Sequence, residues 1–208
     1  MRAKGFLLAL PVLAGVLLTV LNPSASGEAA PAPKHATAVF AGGCFWCTES
    51  DFDKIPGVVS TTSGYSGGRT ANPTYEQVSA GGTGHIEVVR VVYDPAQVSY
   101  QKLLARFFRT VDPLDGGGQF CDRGSQYRSA IFVASPAERR LAEATKARAA
   151  ALLGKPIATQ ILPAARFYAA EGYHQDYYKK NPTKYKYYRW RCGRESRLTA
   201  IWGASAGH

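Results

Sequence analysis

The sequence predicts an α/β chain of the α+β kind, a mixed β-sheet with helices packed against it. Three observations predict it. From Thr37 to Leu162, short apolar or β-branched runs alternate with segments of helical character. No internal repeat of useful period breaks that alternation. A length of 208 residues, 46% hydrophobic and 19% charged, suits one domain with extensions and a core of ordinary extent.

The first segment stands apart from the fold. Arg2 and Lys4 precede an apolar run, Gly5 to Leu21, interrupted by Pro11; small residues follow at Ser24, Ala25, Ser26 and Gly27. This reads as a secretory signal peptide over residues 1–27. An uncleaved membrane anchor is the alternative, which the proline and the shortness of the run oppose. Residues 28–35 read as a linker, and residues 36–208 hold the domain and a C-terminal tail. A cleaved signal places the protein in the periplasm or outside the cell.

Within the domain, Thr37–Ala41 is an apolar strand ending on Gly42-Gly43, and Cys44–Lys54 reads as a helix with Phe45, Trp46 and Phe52 as bulky apolar positions. Val58–Thr62 is β-branched and strand-like, and Thr74–Ser79, after Pro73, is a short helix or turn. His85–Tyr93 (HIEVVRVVY) is the strongest strand. Ser99 can cap a helix with Leu103, Leu104, Phe107, Phe108 and Val111 on one face. Arg128–Ala134 is another strand. Ser135-Pro136-Ala137-Glu138 then opens a helix, with a serine cap, a first-turn proline and a glutamate three residues after the cap. That helix stops near Gly154, and Ile157–Leu162 is a further strand.

The chemistry concentrates at Gly42-Gly43-Cys44-Phe45-Trp46-Cys47. A cysteine where a strand gives way to a helix faces backbone N–H groups and the positive end of the helix dipole, both of which favour the thiolate. The glycines permit a tight turn beside the sulfur. An S-methyl group packs well on rings such as Phe45 and Trp46. The competing reading of Cys44 is a buried core cysteine. Cys44 and Cys47 form a C-x-x-C, either a redox couple or half of a zinc site. A structural zinc site needs a second close pair, and Cys121 and Cys192 each stand alone, so the redox reading is favoured and no metal is expected. The formal charge of +10 admits nucleic acid, a membrane surface or an acidic partner and selects none.

The segment GGCFWCTESDF resembles the active-site segment of the A-type peptide methionine sulfoxide reductases. So do Gly64-Tyr65-Ser66-Gly67-Gly68 with Asn72-Pro73-Thr74-Tyr75, and Thr83-Gly84-His85-Ile86-Glu87-Val88-Val89 with Tyr93-Asp94-Pro95. Asp122-Arg123-Gly124-Ser125-Gln126-Tyr127-Arg128-Ser129 and Phe167-Tyr168 with Tyr173-His174-Gln175-Asp176-Tyr177 continue the series in the family's order. The resemblance implies a ferredoxin-like two-layer sandwich. It implies reduction of methionine S-sulfoxide, free or in proteins, by thiol chemistry that repairs oxidised proteins. It further implies that Cys44 is the nucleophile and that Phe45 and Trp46 hold the sulfoxide methyl group. Glu87 would protonate the oxygen, Tyr75 and Tyr127 would hydrogen-bond it, and Asp122 and Tyr177 would line the same site.

Elementary chemistry agrees. Sulfoxide sulfur is a poor electrophile until its oxygen is protonated or tightly hydrogen-bonded. On the strand period Glu87 shares a face with His85, Val89 and Val91; in an apolar pocket it would keep its proton near neutral pH. Without the motifs it would read as a surface glutamate at a sheet edge, and most of the 12 tyrosines as packing residues. His85 and His174 read as structural hydrogen-bonders. Attack by Cys44 leaves a sulfenic acid that a second thiol must condense with; Cys47 is favoured, then Cys192 in the tail, then Cys121. No bound cofactor is expected. The reductant is an external thioredoxin-like thiol, and the substrates are oxidised proteins or free methionine sulfoxide. The protein is expected to act as a monomer. Tyr, Trp, Lys and Arg interleave from Tyr173 to Arg197, which reads as a solvated basic face rather than a nucleic-acid surface. The alternative function is a thiol–disulfide oxidoreductase using Cys44 and Cys47, which would have no use for Glu87 or Tyr75.

Overall fold

Alternating side chains between Ala36 and Tyr93 build the centre of the fold. The computed structural model describes residues 1–2 and 34–207. The expected signal peptide beyond residue 2, and the linker as far as residue 33, lie outside the described residues. Strand β1 (Ala36–Gly42) runs antiparallel between β3 (Ile86–Tyr93) and β6 (Ser129–Val133). Strand β2 (Val58–Ser66) pairs with the other side of β3. The edges are β7 (Gln160–Pro163), parallel to β6, and the two-residue β8 (Tyr168–Ala169), giving the order β7-β6-β1-β3-β2-β8. One parallel pair among antiparallel ones makes the sheet mixed. A separate small hairpin joins β4 (Gly118–Gln119) to β5 (Asp122–Arg123).

Strand β2 runs further than its β-branched stretch predicts, through Gly64. Glycine is required there for close approach: a Cβ would meet the Tyr168 carbonyl oxygen at 2.3 Å and the Phe167 ring at 2.5 Å.

Seven α-helices complete the described residues. Helix α1 (Phe45–Phe52) starts after Cys44, which is its cap residue rather than its first turn. Thr74 closes a capping box on α2 (Tyr75–Ser79), Ser99 caps α3 (Tyr100–Thr110), and Ser135 caps α4 (Pro136–Leu153), which ends on left-handed Gly154. Helices α5 (Tyr177–Lys180), α6 (Pro182–Arg191) and α7 (Arg194–Trp202) follow. Among the described residues no helix is long and apolar enough to cross a membrane.

Helices α1, α3, α4 and α7 pack with one face of the sheet in the larger core, so the architecture is a sheet layer under a helix layer. At its centre Phe40 stacks on Phe52 at 4.7 Å and on Phe107 at 5.3 Å. The other face carries a smaller cluster of Ala41, Ile86, Val88, Ala130 and Phe132. Alternation thus sends Val89, Val91 and Glu87 towards the helices and Ile86 and Val88 away from them.

The tail departs from expectation. It forms α6 and α7, which bury Tyr185, Arg189, Arg194, Leu198 and Trp202. Arg189 and Arg194 are paired inside the protein, whereas Arg191 and Arg197 stay exposed as a basic face would have them. A disulfide joins Cys121 to Cys192 across 71 residues, so Cys192 does not lie in a mobile tail.

Phe40→Ala is expected to lower the unfolding free energy by about 3–5 kcal/mol in urea denaturation, since it empties the centre of the helix-side core. Leu152→Ala, at an exposed position of α4, should stay within about 0.5 kcal/mol of the parent.

Candidate active site

Strand β1 ends at Gly42, and Gly43 turns the chain with φ +82°, a conformation that favours glycine. A Cβ at Gly43 would also strike the Gln119 side chain at 2.5 Å. The turn leaves Cys44 capping α1, its carbonyl accepting the N–H groups of Cys47 at 3.1 Å and Thr48 at 3.2 Å. Cys44 and Cys47 are both buried free thiols, three residues apart at the start of α1.

Strand β3 brings Glu87 to the same turn. Its Oε2 accepts the Phe45 N–H at 2.9 Å, satisfying a first-turn donor that the helix itself cannot. Glu87 is 2% exposed. Burial pushes its carboxyl up to about 8; the Phe45 bond opposes that rise, and the nearby Asp122 carboxylate adds to it.

The ionisation of Cys44 corrects the sequence expectation. Burial, with Cys47, Glu87 and Asp122 nearby, holds its thiol well above the ordinary range. Cys47 lies lower than an ordinary thiol, drawn down by its neighbour Cys44 and by the charges of Arg194 and Arg189 against the rise that burial brings. At Cys44 the loss of water outweighs the partial charge of the helix end.

Aromatic side chains form the wall beside the sulfurs. The Phe45 ring lies 4.9 Å from the His174 ring and 5.9 Å from that of Tyr65. Trp46 donates its Nε1–H to His174 Nδ1 at 3.0 Å. Its indole is stacked on Tyr177 at 3.7 Å and stands perpendicular to Tyr188 at 5.8 Å. Tyr75 is held through its backbone, which donates to Glu171 Oε1 at 2.8 Å, while Glu171 Oε2 accepts the Tyr65 hydroxyl at 2.9 Å. Burial and the charges of Glu87 and Cys44 push the Tyr75 phenol up to about 12, and burial and Glu87 raise Tyr127 as well. Asp122 is half-buried, accepts the Tyr188 hydroxyl, and is raised by burial.

The structure therefore gathers Cys44, Cys47, Phe45, Trp46, Glu87, Tyr75, Tyr127, Asp122 and Tyr177 in one cluster. Cys121 and Cys192 are joined to each other, beside Asp122 and one helical turn from Tyr188. His85 is fixed by the Gly68 N–H and the Thr70 carbonyl, as a structural hydrogen-bonder should be.

Sequence reasoning missed Glu49, Tyr65, Glu171 and Tyr188. Buried Glu49 accepts the Asp176 N–H at 2.9 Å and so hangs the segment bearing His174 and Tyr177 on α1; burial raises its carboxyl to about 7. Tyr65 and Glu49 stand inside the quoted motifs, which offered a signal. Tyr188 stands in the basic tail, where nothing local marks it.

A profile of the family described as peptide methionine sulfoxide reductase matches residues 36–206. Peptide methionine sulfoxide reductase MsrA 2 of Caulobacter vibrioides is 53% identical over 193 residues, 92% of this chain and 97% of the relative. Among solved structures, reduced Mxr1 of Saccharomyces cerevisiae is similar with a TM-score of 0.69 at 36% identity, over 72% of this chain and 87% of its own. Methionine sulfoxide reductase A of Corynebacterium diphtheriae has a TM-score of 0.65 at 40% identity, over 73% and 77%. Mxr1 in complex with Trx2 is similar with a TM-score of 0.51 at 26% identity, over 74% and 91%.

The raised carboxyls fix a pH dependence. Glu87 at about 8 and Glu49 at about 7 lie above the model-compound value of 4.5. The folded state thus binds protons that the unfolded state releases, and the stability so contributed is full below that value and falls as pH rises towards 8. Carboxyl carbon resonances should titrate with a midpoint near 8 for Glu87. In urea denaturation Glu87→Gln should lose less stability than the parent between about pH 5 and about pH 8. An ordinary carboxylate midpoint for Glu87 would contradict the burial argument.

Proposed function

Because this chain belongs to the peptide methionine sulfoxide reductase family, we propose that the thiol–carboxyl–aromatic pocket is where it reduces methionine S-sulfoxide, with Cys44 as nucleophile and Glu87 as proton donor. The protein is a peptide-methionine (S)-S-oxide reductase that repairs oxidised methionine. The observation that carries the site assignment is Glu87: a buried carboxyl that keeps its proton near neutral pH, bonded to the residue next to Cys44.

In this reading the sulfoxide methyl group rests on Phe45 and Trp46, and its oxygen turns towards Glu87, Tyr75 and Tyr127. Asp122 and Tyr177 complete the lining, Tyr177 by backing the Trp46 indole. Protonation of the oxygen makes the sulfur electrophilic, Cys44 attacks, methionine leaves and Cys44 becomes a sulfenic acid. Cys47 is the resolving thiol. It is a free thiol three residues from Cys44, whereas Cys192 and Cys121 are joined to each other. The disulfide formed is returned to thiols by an external dithiol. The yeast relative's complex with Trx2 supports a thioredoxin-like donor here. The chemistry calls for no resident cofactor, because sulfur carries all the electrons.

Export is part of the same reading: residues 1–27 act as a signal peptide, residues 28–35 as a linker and residues 36–208 as the reductase domain. The Cys121–Cys192 disulfide suits an oxidising compartment and supports a periplasmic or secreted location.

Cys44→Ser should abolish methionine formation while circular dichroism stays that of the parent, since a hydroxyl cannot replace the thiol as nucleophile. Glu87→Gln should slow single-turnover reduction by about 10²–10⁴-fold with little loss of substrate binding. An unchanged single-turnover rate in Glu87→Gln would remove the carboxyl from the mechanism. The R epimer, which sets its oxygen against the rings, should react far more slowly than the S epimer when the two are assayed separately.

A further inference from the structure

One hairpin of the site is held from outside the main sheet. Strands β4 and β5 pair Gly118 with Arg123 and Gln119 with Asp122, so Phe120 and Cys121 form the turn between them. At its root the hairpin leans on the turn that presents Cys44. Gln119 is fully buried and stands where a Cβ on Gly43 would strike it. It accepts the Asp112 N–H and donates to the Asp112 carbonyl, both at 2.8 Å. Beyond the hairpin the chain enters a 3₁₀ turn, Ser125–Tyr127. Asp122 and Tyr127 are thus placed by one short element.

The tip of that element is strained. Phe120 has φ +55°, a left-handed conformation that costs a bulky residue free energy and that two-residue hairpin turns usually give to glycine, asparagine or aspartate. Two contacts with the tail hold it there. The Arg194 guanidinium lies 4.4 Å over the Phe120 ring, and the next residue, Cys121, is bonded to Cys192. Cys192 caps α6, its N–H donating to the Tyr188 carbonyl at 3.0 Å. The Tyr188 hydroxyl in turn donates to Asp122 Oδ2, and the Tyr188 ring stands perpendicular to Trp46 at 5.8 Å. Disulfide, helical turn, phenol and carboxyl therefore close a loop that begins and ends at neighbouring residues, Cys121 and Asp122. The other carboxyl oxygen, Oδ1, is 3.9 Å from Cys121 Sγ. A sulfur in a disulfide has no hydrogen to donate, so this contact leaves Oδ1 open.

The steps above give this disulfide no task. Cys44 and Cys47 are buried, whereas Cys121 is exposed and Cys192 half-buried, in a surface groove shared with Tyr187, Tyr188 and Arg191. An external dithiol can reach it there.

We propose that Tyr188 is a positioning residue that holds the Asp122 carboxyl in the substrate pocket, and that the Cys121–Cys192 disulfide keeps the pair in place, so that reducing it weakens the grip on substrate and leaves the chemical step intact. The inference rests on the pocket reading above, with Asp122 in the lining. In the switching step a dithiol gives two electrons and two protons: its own sulfurs join, the Cys121–Cys192 bond breaks, and each cysteine leaves as a thiol. Three restraints then change together. The Phe120 turn loses its covalent hold, the end of α6 is released from the hairpin, and Cys121 becomes a donor beside Oδ1. Cys44 and Glu87 are fixed through α1 and β3, by the Phe45 N–H, and keep their arrangement.

The test reads binding and chemistry apart in a single turnover, with a short peptide carrying methionine S-sulfoxide and no recycling reductant. The parent is compared as the form with two free thiols and as the fully reduced form with all 4 cysteines free, each verified by thiol titration. The fully reduced form should need about tenfold more substrate to reach half its maximal rate, the scale of a hydrogen bond to a charged group, with that rate unchanged within about twofold. Tyr188→Phe, which removes only the hydroxyl, should shift the same quantity in the same direction. The Cys121→Ser/Cys192→Ser variant should match the fully reduced parent and no longer respond to dithiol. Adding Tyr188→Phe to it should cost no more than the larger single effect, because both act through one carboxyl. A disulfide that served stability alone would lower the urea midpoint and leave the half-saturating concentration where it was; that result in the fully reduced parent, or in folded Tyr188→Phe, overturns the proposal. The comparison of the two parent forms needs no substitution and decides alone should a variant fail to fold. Asp122→Ala tests the underlying reading: an unchanged half-saturating concentration there removes Asp122 from the pocket and this inference with it. A raised one, beside an unmoved Tyr188→Phe and an unmoved reduced parent, defeats only this inference.

Discussion

The bond from the Phe45 N–H to Glu87 Oε2 joins the first turn of α1 to the middle of the sheet. Each partner would be costly alone. A helix leaves its first N–H groups without internal acceptors, and a carboxyl buried in an apolar layer needs a donor or a proton. Glu87 has both. Once this pair is set, the register of α1 over β3 is set with it, and Cys44, Phe45, Trp46 and Cys47 take their places from the helical period. The outer wall then hangs on α1. Glu49 takes the Asp176 N–H, Trp46 bonds His174, and Gln175 closes a two-way bridge to the Ser63 backbone of β2.

The two sides of the pocket are held by different physics. The front is aromatic: Phe45, Trp46, Tyr75 and Tyr177 give an apolar surface, with the Trp46 indole N–H tied to His174 and the Tyr75 backbone N–H to Glu171. The back is ionic. Asp51 is bracketed by Arg189 and Arg194, and Arg197 meets Asp112 at 2.7 Å. Between them, Tyr188 bonds Asp122 and presents its ring to Trp46, so one side chain of α6 touches both halves. The Cys121–Cys192 disulfide fastens the β4–β5 hairpin to the end of that same helix.

Much of the fold was legible because local signals and tertiary needs agree. The alternation in HIEVVRVVY puts Val89 and Val91 on the helix side, Ser99 and Ser135 cap where they were read to cap, and Leu103, Leu104, Phe107 and Phe108 are buried on one stripe of α3. Where they conflict, the reading failed. The β-branched stretch ends at Thr62, yet the strand passes on through Gly64, where its neighbour needs the room. Helices α6 and α7 lack a strong apolar stripe, and Arg189 and Arg194 read as solvent-facing because the carboxylate they meet, Asp51, lies far upstream. Glu87 and Tyr127 were marked as site residues by the motif series, not by their own surroundings. The charge state of Cys44 was misjudged for a related reason: the helix end is visible locally, and the desolvation that outweighs it is not.

The ionic backing of the pocket carries a consequence for the order in which the protein is made. Asp51 and Cys47 leave the ribosome long before Arg189 and Arg194. Strands β1, β2 and β3 all lie within residues 36–93, and their shared sheet can begin to form while translation continues. The Asp51 carboxylate must meanwhile remain in water, because enclosing it without its guanidiniums would strand a buried charge. Docking of α6 and α7 supplies those partners and closes the pocket in one event. A nascent chain paused before Pro182 would hold a sheet and a pair of thiols without the guanidiniums that meet Asp51. Chemical competence in this protein is thus a late product of translation, acquired when its most basic helices arrive and not when its nucleophile does.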